Sequence, residues 1–386
     1  MKPTWHVLFL ALLLAACGGG NGGASPGHAL VSIAVAPTAA HIGIETTQAY
    51  TATATYRDGS TADISADPAL TWTSSDPSAT VSASGVATAV ASGSANIQAT
   101  VGAVHSNSAT LVVRSKVYVA NMSANTVSVC AITASGQLGH CNTSAPMFDQ
   151  PYGVAVHPAG TWVYVVNSGG NTISRCALQS DGELDACVTG AASFSVPGRI
   201  AMDPAGLTAY VTNVGNGNGS VMACPIASDA SLGPCAPTGS GFSSPTGIAL
   251  HPGGTIAYVT NFNTHTVTHC KVAAGGLTEC VANAGFSLPT GVSLNPAGTR
   301  AYVVNGGNGT VSSCSVQADG SLAPCTAVAT GLSAPYDMAL SPTGTKAYVA
   351  EGGSNAVSFC PVNGDGSLGA CTATAGIASP RGIALR

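Results

Sequence analysis

Charge is scarce in this chain of 386 residues: Asp, Glu, Lys and Arg together make up 7% of it, against about 25% in ordinary soluble domains. The 11 Lys and Arg residues are thinly spread and the net charge is -5. A nucleic-acid partner requires a concentrated basic surface, usually interleaved with aromatics; neither is present, so nucleic acid is excluded. Long apolar runs are missing too, apart from one near the N-terminus, so no second membrane span is expected. No Gly-x-Ser-x-Gly nucleophile motif occurs in the folded segments, and no histidine lies in a tight cluster with carboxylates. The polar surface falls to Ser, Thr, Asn and Gly, which solvate well but steer charged partners weakly.

What the chain has in abundance is repetition. Tyr118, Tyr164, Tyr210, Tyr258, Tyr302 and Tyr348 recur at spacings of 46, 46, 48, 44 and 46 residues. A cysteine pair follows each: Cys130/Cys141, Cys176/Cys187, Cys224/Cys235, Cys270/Cys280, Cys314/Cys325 and Cys360/Cys371. Structural zinc favours cysteines separated by two to four residues, so these wider pairs read as disulfides and the expected metal content is none. Every unit is expected to carry the same staple, with its two cysteines in the last two strands and a turn, such as Ser135-Gly136, folding one back on the other. Disulfides persist outside the cytoplasm, which places the chain in an oxidising compartment.

Twelve cysteines are thus paired and Cys17 is left over. It ends the run MKPTWHVLFLALLLAAC, in which Lys2 precedes an apolar core, Val7 to Ala16, too short for a mature membrane span. Leu14, Ala15, Ala16 and Cys17 resemble the bacterial lipoprotein signal. The resemblance implies a signal peptide over 1–16 and lipidation of Cys17, which would anchor the protein to the membrane. Gly18, standing where aspartate would retain the protein at the inner membrane, favours the outer membrane. Residues 17–29, rich in glycine, read as a flexible tether.

From 30 to 114 the sequence alternates apolar and small polar residues in short runs, such as QAYTATATY and GVATAVASG, separated by turn residues; this predicts a β-sandwich. The stretch LTWTSSDPSATVSASGVATAVASGSANIQAT resembles the bacterial Ig-like group 2 domain. The resemblance implies Trp72 in the core, Gly85 and Gly93 at turns, and a spacer role. Asp58, Asp63, Asp67 and Asp76 adjoin Gly, Ser or Pro and read as turn residues, not as a calcium site.

Residues 115–386 carry the repeat. A unit such as PTGIALHPGGTIAYVTNFNTHTVTHCKVAAGGLTEC divides into four short strands, with turn chemistry in HPGGT, HPAGT, DPAGL, NPAGT and SPTGT. Four strands per unit of this length predict β-propeller blades. The series YVAN, YVVN, YVTN, YVTN, YVVN, YVAE resembles the YVTN-repeat propellers, whose lactonase-type relatives often have seven blades; here six copies are counted. The region opens on a second strand, Lys116 to Val119, and ends on a lone first strand, Gly382 to Leu385. The expected fold is therefore all-β: an Ig-like sandwich, then a six-bladed propeller of four-stranded blades closed by its C-terminal strand.

In a repeat, the residues that break the pattern are the candidates for function. At the glycine of PxG stand Gly153, Arg199, Gly247, Gly291, Asp337 and Gly382; just before it stand Tyr152, Gly198, Thr246, Thr290, Tyr336 and Arg381. At the asparagine of YVxN, Glu351 replaces Asn121, Asn167, Asn213, Asn261 and Asn305. Arg199, Asp337, Glu351 and Arg381 form a candidate polar binding pocket at the channel mouth. The alternative is structural, with Asp337 paired to Arg381 and Glu351 solvated. Asp337 or Glu351 acting as general base on a lactone, with an arginine stabilising negative charge, is the catalytic reading. His157 and His251 read as turn residues, His265 with His269 as too few for a metal site, and the GNGNG run from Gly215 as a hairpin loop.

The function expected from the sequence is binding at the cell envelope, as adhesion or scaffolding, with an envelope protein or glycan as partner and no cofactor. A lactonase-like hydrolase working at the channel mouth is the alternative.

Overall fold

The computed structural model describes residues 29–386 except 114, 146, 180, 191–193, 216–218 and 274–275. The expected signal peptide, Cys17, nearly all of the tether and the centre of the GNGNG run lie outside the described residues. Among the described residues almost every regular element is a strand, and no helix is long and apolar enough to cross a membrane.

The N-terminal domain is built from short strands in three small sheets. Alternation decides which side chains go inward: in Ala109–Val113 every second residue is buried. Ile33, Val35, Tyr50, Trp72, Ile97 and Leu111 meet in one core, and the Trp72 indole donates to the Ser65 carbonyl at 3.1 Å. Gly85 has a positive φ, and a Cβ there would lie 2.6 Å from the Trp72 ring, so the indole fills the space a side chain would need. Gly93 is not a turn residue: it opens the strand Gly93–Val101, where a Cβ would press on Ser78 at 2.9 Å. Asp58, Asp63, Asp67 and Asp76 each accept a backbone N–H two residues ahead, the geometry of an Asx turn.

The C-terminal region forms six four-stranded antiparallel sheets. Its inner strands are Pro151–Val156, Pro197–Met202, Pro245–Leu250, Pro289–Leu294, Pro335–Leu340 and Pro380–Leu385. Each touches the next, and the last touches the first, so they close a ring around a central channel. We number the blades so that Pro380–Leu385 lies in blade 1, where it pairs with Lys116–Asn121, Tyr118 facing Ala384.

All six disulfides form, but they are not the six equivalent staples that the repeat suggests. Cys130–Cys141, Cys176–Cys187 and Cys314–Cys325 join residues directly opposite each other on the third and fourth strands. Cys270–Cys280 spans a sequence separation of 10 instead of 11. The register slip between His269 and Lys271 matches the one found after Cys130, Cys176 and Cys314; what differs here is Glu279, beside Cys280, which takes a positive φ. Cys235 and Cys371 do not lie in fourth strands; each stands one residue ahead of a short one, Ala236–Thr238 and Thr372–Ala375, and bridges back to Cys224 and Cys360.

The members of each pair also differ in burial. Cys130, Cys176, Cys224, Cys270, Cys314 and Cys360 are fully buried, because the third strand is flanked by strands on both edges and faces the core between blades. Cys141, Cys187, Cys235 and Cys280 are only half-buried, and Cys325 and Cys371 are exposed, because they lie in, or just ahead of, the last strand, which is the outer edge of its sheet. Each bridge thus ties an exposed rim to a buried strand.

The repeated tyrosine joins blade to blade. Its ring is fully buried, and although the buried Tyr258 hydroxyl finds no partner, in other blades the hydroxyl donates to a carbonyl in the outer hairpin of the following blade: Tyr118 to Gly182 at 2.8 Å, Tyr164 to Ala230 at 2.6 Å and Tyr302 to Gly366 at 3.1 Å. Tyr348 makes the same bond to Gly136 at 2.7 Å, across the seam between blades 6 and 1. The repeated asparagine braces its own blade. The Asn167 amide donates to Thr172 and Ser174 on the third strand, and its carbonyl accepts the Asp149 N–H ahead of the inner strand.

The two domains are docked. Ile44 is fully buried among Val119, Ile132, Tyr348 and Phe359 of the propeller. Beside it, the Glu45 carboxylate binds Lys346, Thr343 and Thr345 of blade 6.

Candidate functional site

The inner strands approach so closely that their third position has little room for a side chain. A Cβ on Gly153 would lie 2.6 Å from the Gly198 carbonyl, and one on Gly382 would lie 2.6 Å from that of Tyr152. Arg199 in blade 3 and Asp337 in blade 6 are the two exceptions, and they stand on opposite sides of the ring. Arg199 Nε lies 3.3 Å from Asp337 Oδ2, with both side chains almost wholly buried. The same guanidinium donates to the carbonyls of Tyr152 at 2.9 Å and Tyr336 at 2.6 Å. A single arginine thus ties three blades together across the channel axis. Asp337 also accepts the Ile383 N–H at 3.0 Å. Burial pushes the Asp337 carboxyl upward, and the Arg199 charge pulls it back in part.

Arg381, at the second position in blade 1, does not pair with Asp337. Its guanidinium lies over the ring of Tyr336, 3.6 Å from the centroid, while Arg199 holds the aspartate. Tyr336 meets Tyr152 edge to face at 6.3 Å, and Arg199 lies 5.3 Å from the Tyr152 ring. Burial, with the positive charge of Arg199, lowers the Arg381 pKa, and Tyr152 opposes this. Three of the four sequence candidates are therefore neighbours where the inner strands begin, an end we call the entry face. Sequence reasoning selected charge alone and so passed over Tyr152 and Tyr336, although they break the same series.

Glu351 does not join them. Its carboxylate turns outward, accepting from the Ser358 hydroxyl and from the Ser333 N–H at 2.7 Å. Its asparagine counterparts meet the same partners, donating to the third-strand hydroxyl where Glu351 accepts from it, so Glu351 is neither solvated nor in the pocket; it holds its blade together. The histidines are likewise occupied. His157 and His251 each accept a nearby backbone N–H and reach the Gly206 and Gly298 carbonyls of the next blade at 3.1 and 3.2 Å. His265 sits at positive φ, where other blades have Asn125, Asn171 and Asn355, and accepts the Leu288 N–H at 3.2 Å. His269 contacts Asn283 at 2.9 Å. No group of residues fit to hold a metal occurs among the described residues.

On the other side of the Arg199–Asp337 pair the channel widens into a cavity of about 450 Å³ lined by Ile248, Val292, Met338 and small residues such as Ala201 and Ser293. The ion pair is part of that lining, at the third position of the inner strands, while Pro296 and Pro342, in the turns that follow these strands, line the other end.

Two family models match the chain. Residues 29–113 match the bacterial Ig-like domain (group 2), and residues 266–382 match the lactonase family, described as a 7-bladed β-propeller. No curated protein matches the sequence. Among solved structures, the periplasmic gluconolactonase PpgL of Pseudomonas aeruginosa is similar with a TM-score of 0.54 and 17% identity, over 70% of this chain and 98% of that one. A chain of the nidogen/laminin complex is similar with a TM-score of 0.57 and 16% identity, over 70% and 98%. A candidate 6-phosphogluconolactonase from Bacteroides uniformis gives 0.51 and 17%, over 87% and 95%. At such identities the likeness is one of fold. It spans a protein complex as well as lactonases.

Proposed function

We propose that this chain is an extracytoplasmic binding protein, anchored to the envelope through Cys17, whose six-bladed propeller acts in adhesion or scaffolding and takes its ligand at the entry face. The observation that carries this reading is the state of the two candidate carboxylates. Asp337 is held by Arg199 and the Ile383 N–H, and Glu351 by Ser358 and Ser333. A general base needs a carboxylate within reach of the proton it removes, and neither is free. The six disulfides support an oxidising location, and the closed cycle of six inner strands supports six blades against the seven in the family description.

A second reading is favoured by the cavity: the Asp337 carboxyl, pushed up by burial, and the Arg199 guanidinium both line a space large enough for a sugar lactone. With the lactonase family match, this supports a lactone hydrolase. Proton release from glucono-1,5-lactone separates the two. We expect the purified chain to stay at the spontaneous rate; turnover that persists in Glu351→Asn but is lost in a folded Asp337→Asn would establish the hydrolase instead.

A further inference from the structure

The second position of the inner strands divides the entry face in two. In blades 3, 4 and 5 it holds Gly198, Thr246 and Thr290; the two threonine hydroxyls donate to the Pro289 and Pro335 carbonyls at 3.0 and 3.1 Å. Those residues serve the ring. In the consecutive blades 6, 1 and 2 it holds Tyr336, Arg381 and Tyr152, which are half-buried and leave functional groups at the mouth. A ring needing only closure has no use for this asymmetry.

The charges there do not balance. Arg199 and Arg381 are two guanidinium groups with one carboxylate between them, Asp337, and Arg199 holds it. Among the described residues no carboxylate lies within ion-pair distance of Arg381, and its buried Nε has no hydrogen-bond partner. Stacking on Tyr336 occupies the face of the guanidinium and leaves its edge. That edge carries N–H donors in a fixed planar fork, the geometry that grips a carboxylate through two bonds. Tyr336 also fixes the plane of the fork, so less freedom is lost when a ligand arrives. The adjacent Tyr152 ring offers an apolar surface for the carbon skeleton carrying the acid.

We propose that Arg381, Tyr336 and Tyr152 form a carboxylate-binding site at the entry face, selecting a ligand that carries an acid group on a compact, ring-sized skeleton. The proposal rests on the binding reading above and narrows it to one ligand chemistry. Free glucuronate and an alginate oligosaccharide, a chain of uronates, present that chemistry from two sources, a small acid and an acidic glycan.

Calorimetric titration of the full chain with each probe tests it. At least one of the two is expected to bind, and the methyl ester of glucuronate to bind at least tenfold more weakly than the acid. Arg381→Gln should lower affinity for the acid at least tenfold, and Arg381→Lys should fall between, since it keeps the charge and loses the fork. Removing a half-buried charge that has no ion-pair partner leaves folding intact, which the melting temperature checks; if the Gln variant does not fold, the Lys variant and the ester carry the test. Tight binding of alginate without glucuronate assigns the acidic glycan as source, and the reverse assigns the small acid. Equal binding of acid and ester, affinity unchanged in a folded Arg381→Gln variant, or no binding of either probe at millimolar concentration would overturn the proposal. Binding of neutral glycans without these acids overturns the ligand class and leaves the binding reading standing. Lactone turnover without binding of any probe overturns both.

Discussion

Glu351 replaces an asparagine without changing the job done at its position. The amide of Asn167 donates to two side chains on the third strand and accepts one N–H; the carboxylate, an acceptor only, takes the Ser358 hydroxyl and the same type of N–H. The hydroxyl of Ser358 rotates to suit either neighbour, so the exchange needs no backbone change. Glu351→Asn is therefore expected to fold with stability within about 0.5 kcal/mol of the parent. Glu351→Ala leaves the Ser333 N–H without a partner and should cost about 1–3 kcal/mol. Urea unfolding measures both. A large loss in the asparagine variant would give Glu351 a role beyond the bracing its counterparts supply. Arg199 and Asp337 differ in kind. Removing one of a buried ion pair strands the other charge, so this pair holds the ring shut as well as lining the cavity.

At the scale of the element, each blade is a sheet whose inner edge is covered by its neighbours and whose outer hairpin is tied by its disulfide and by contacts from the preceding blade, a tyrosine hydroxyl in four cases and an ion pair such as Lys116–Glu183 beside it. In blade 6 the bridge is Cys360–Cys371, closing a loop over a sequence separation of 11. Replacing both cysteines by serine is expected to cost about 3 kcal/mol by the loop-entropy model, seen as a lower denaturant midpoint. An unchanged midpoint would mean that packing alone holds the hairpin. The blades were legible in the sequence because all of them meet the same demands: a turn after the inner strand, a tyrosine to the next blade, an asparagine brace and a cysteine pair. The pairing was legible too, but not the unequal setting of the cysteines: Cys141, Cys187, Cys280 and Cys325 reach the rim because the last strand has no neighbour beyond it. The site was only partly legible. The Arg199–Asp337 contact joins blades 3 and 6, and opposition across a ring follows from the number of blades and their closure, not from local pattern. Glu351 misled because an acid in a charge-poor chain resembles a functional residue, while its partners, a serine hydroxyl and a backbone N–H, carry no signal of their own. Tyr152 and Tyr336 were visible as exceptions, yet their value lies in a stacking geometry that sequence does not specify.

At the scale of the whole molecule, the Ig-like domain is a docked body and not a loosely strung spacer. Ile44 enters the cluster between blades 6 and 1, the seam where the C-terminal strand completes the first blade. Covering an isoleucine there contributes about 1.5–3 kcal/mol, and Glu45 adds a charged latch at the rim. Burial pushes the Glu45 carboxyl up, but hydrogen bonds from Lys346, Thr343, Thr345 and Ser341 outweigh it and bring it from 4.5 to about 2. A carboxyl lowered in the folded state stabilises that state above its unfolded value and loses the contribution as pH falls. The latch should therefore be fully effective above about pH 4.5 and should weaken progressively down to about pH 2. Solvent screening at the rim reduces its contribution to about 1 kcal/mol. Glu45→Gln cannot titrate, so its stability should fall less between pH 5 and pH 2.5 than that of the parent, by about that amount; other carboxylates affect both proteins alike. Urea midpoints across this range measure the difference, and small-angle scattering reports whether the domains separate in acid. Parallel pH profiles would show that the latch contributes nothing, leaving Ile44 alone to dock the domains, and Ile44→Asp should then separate them at every pH.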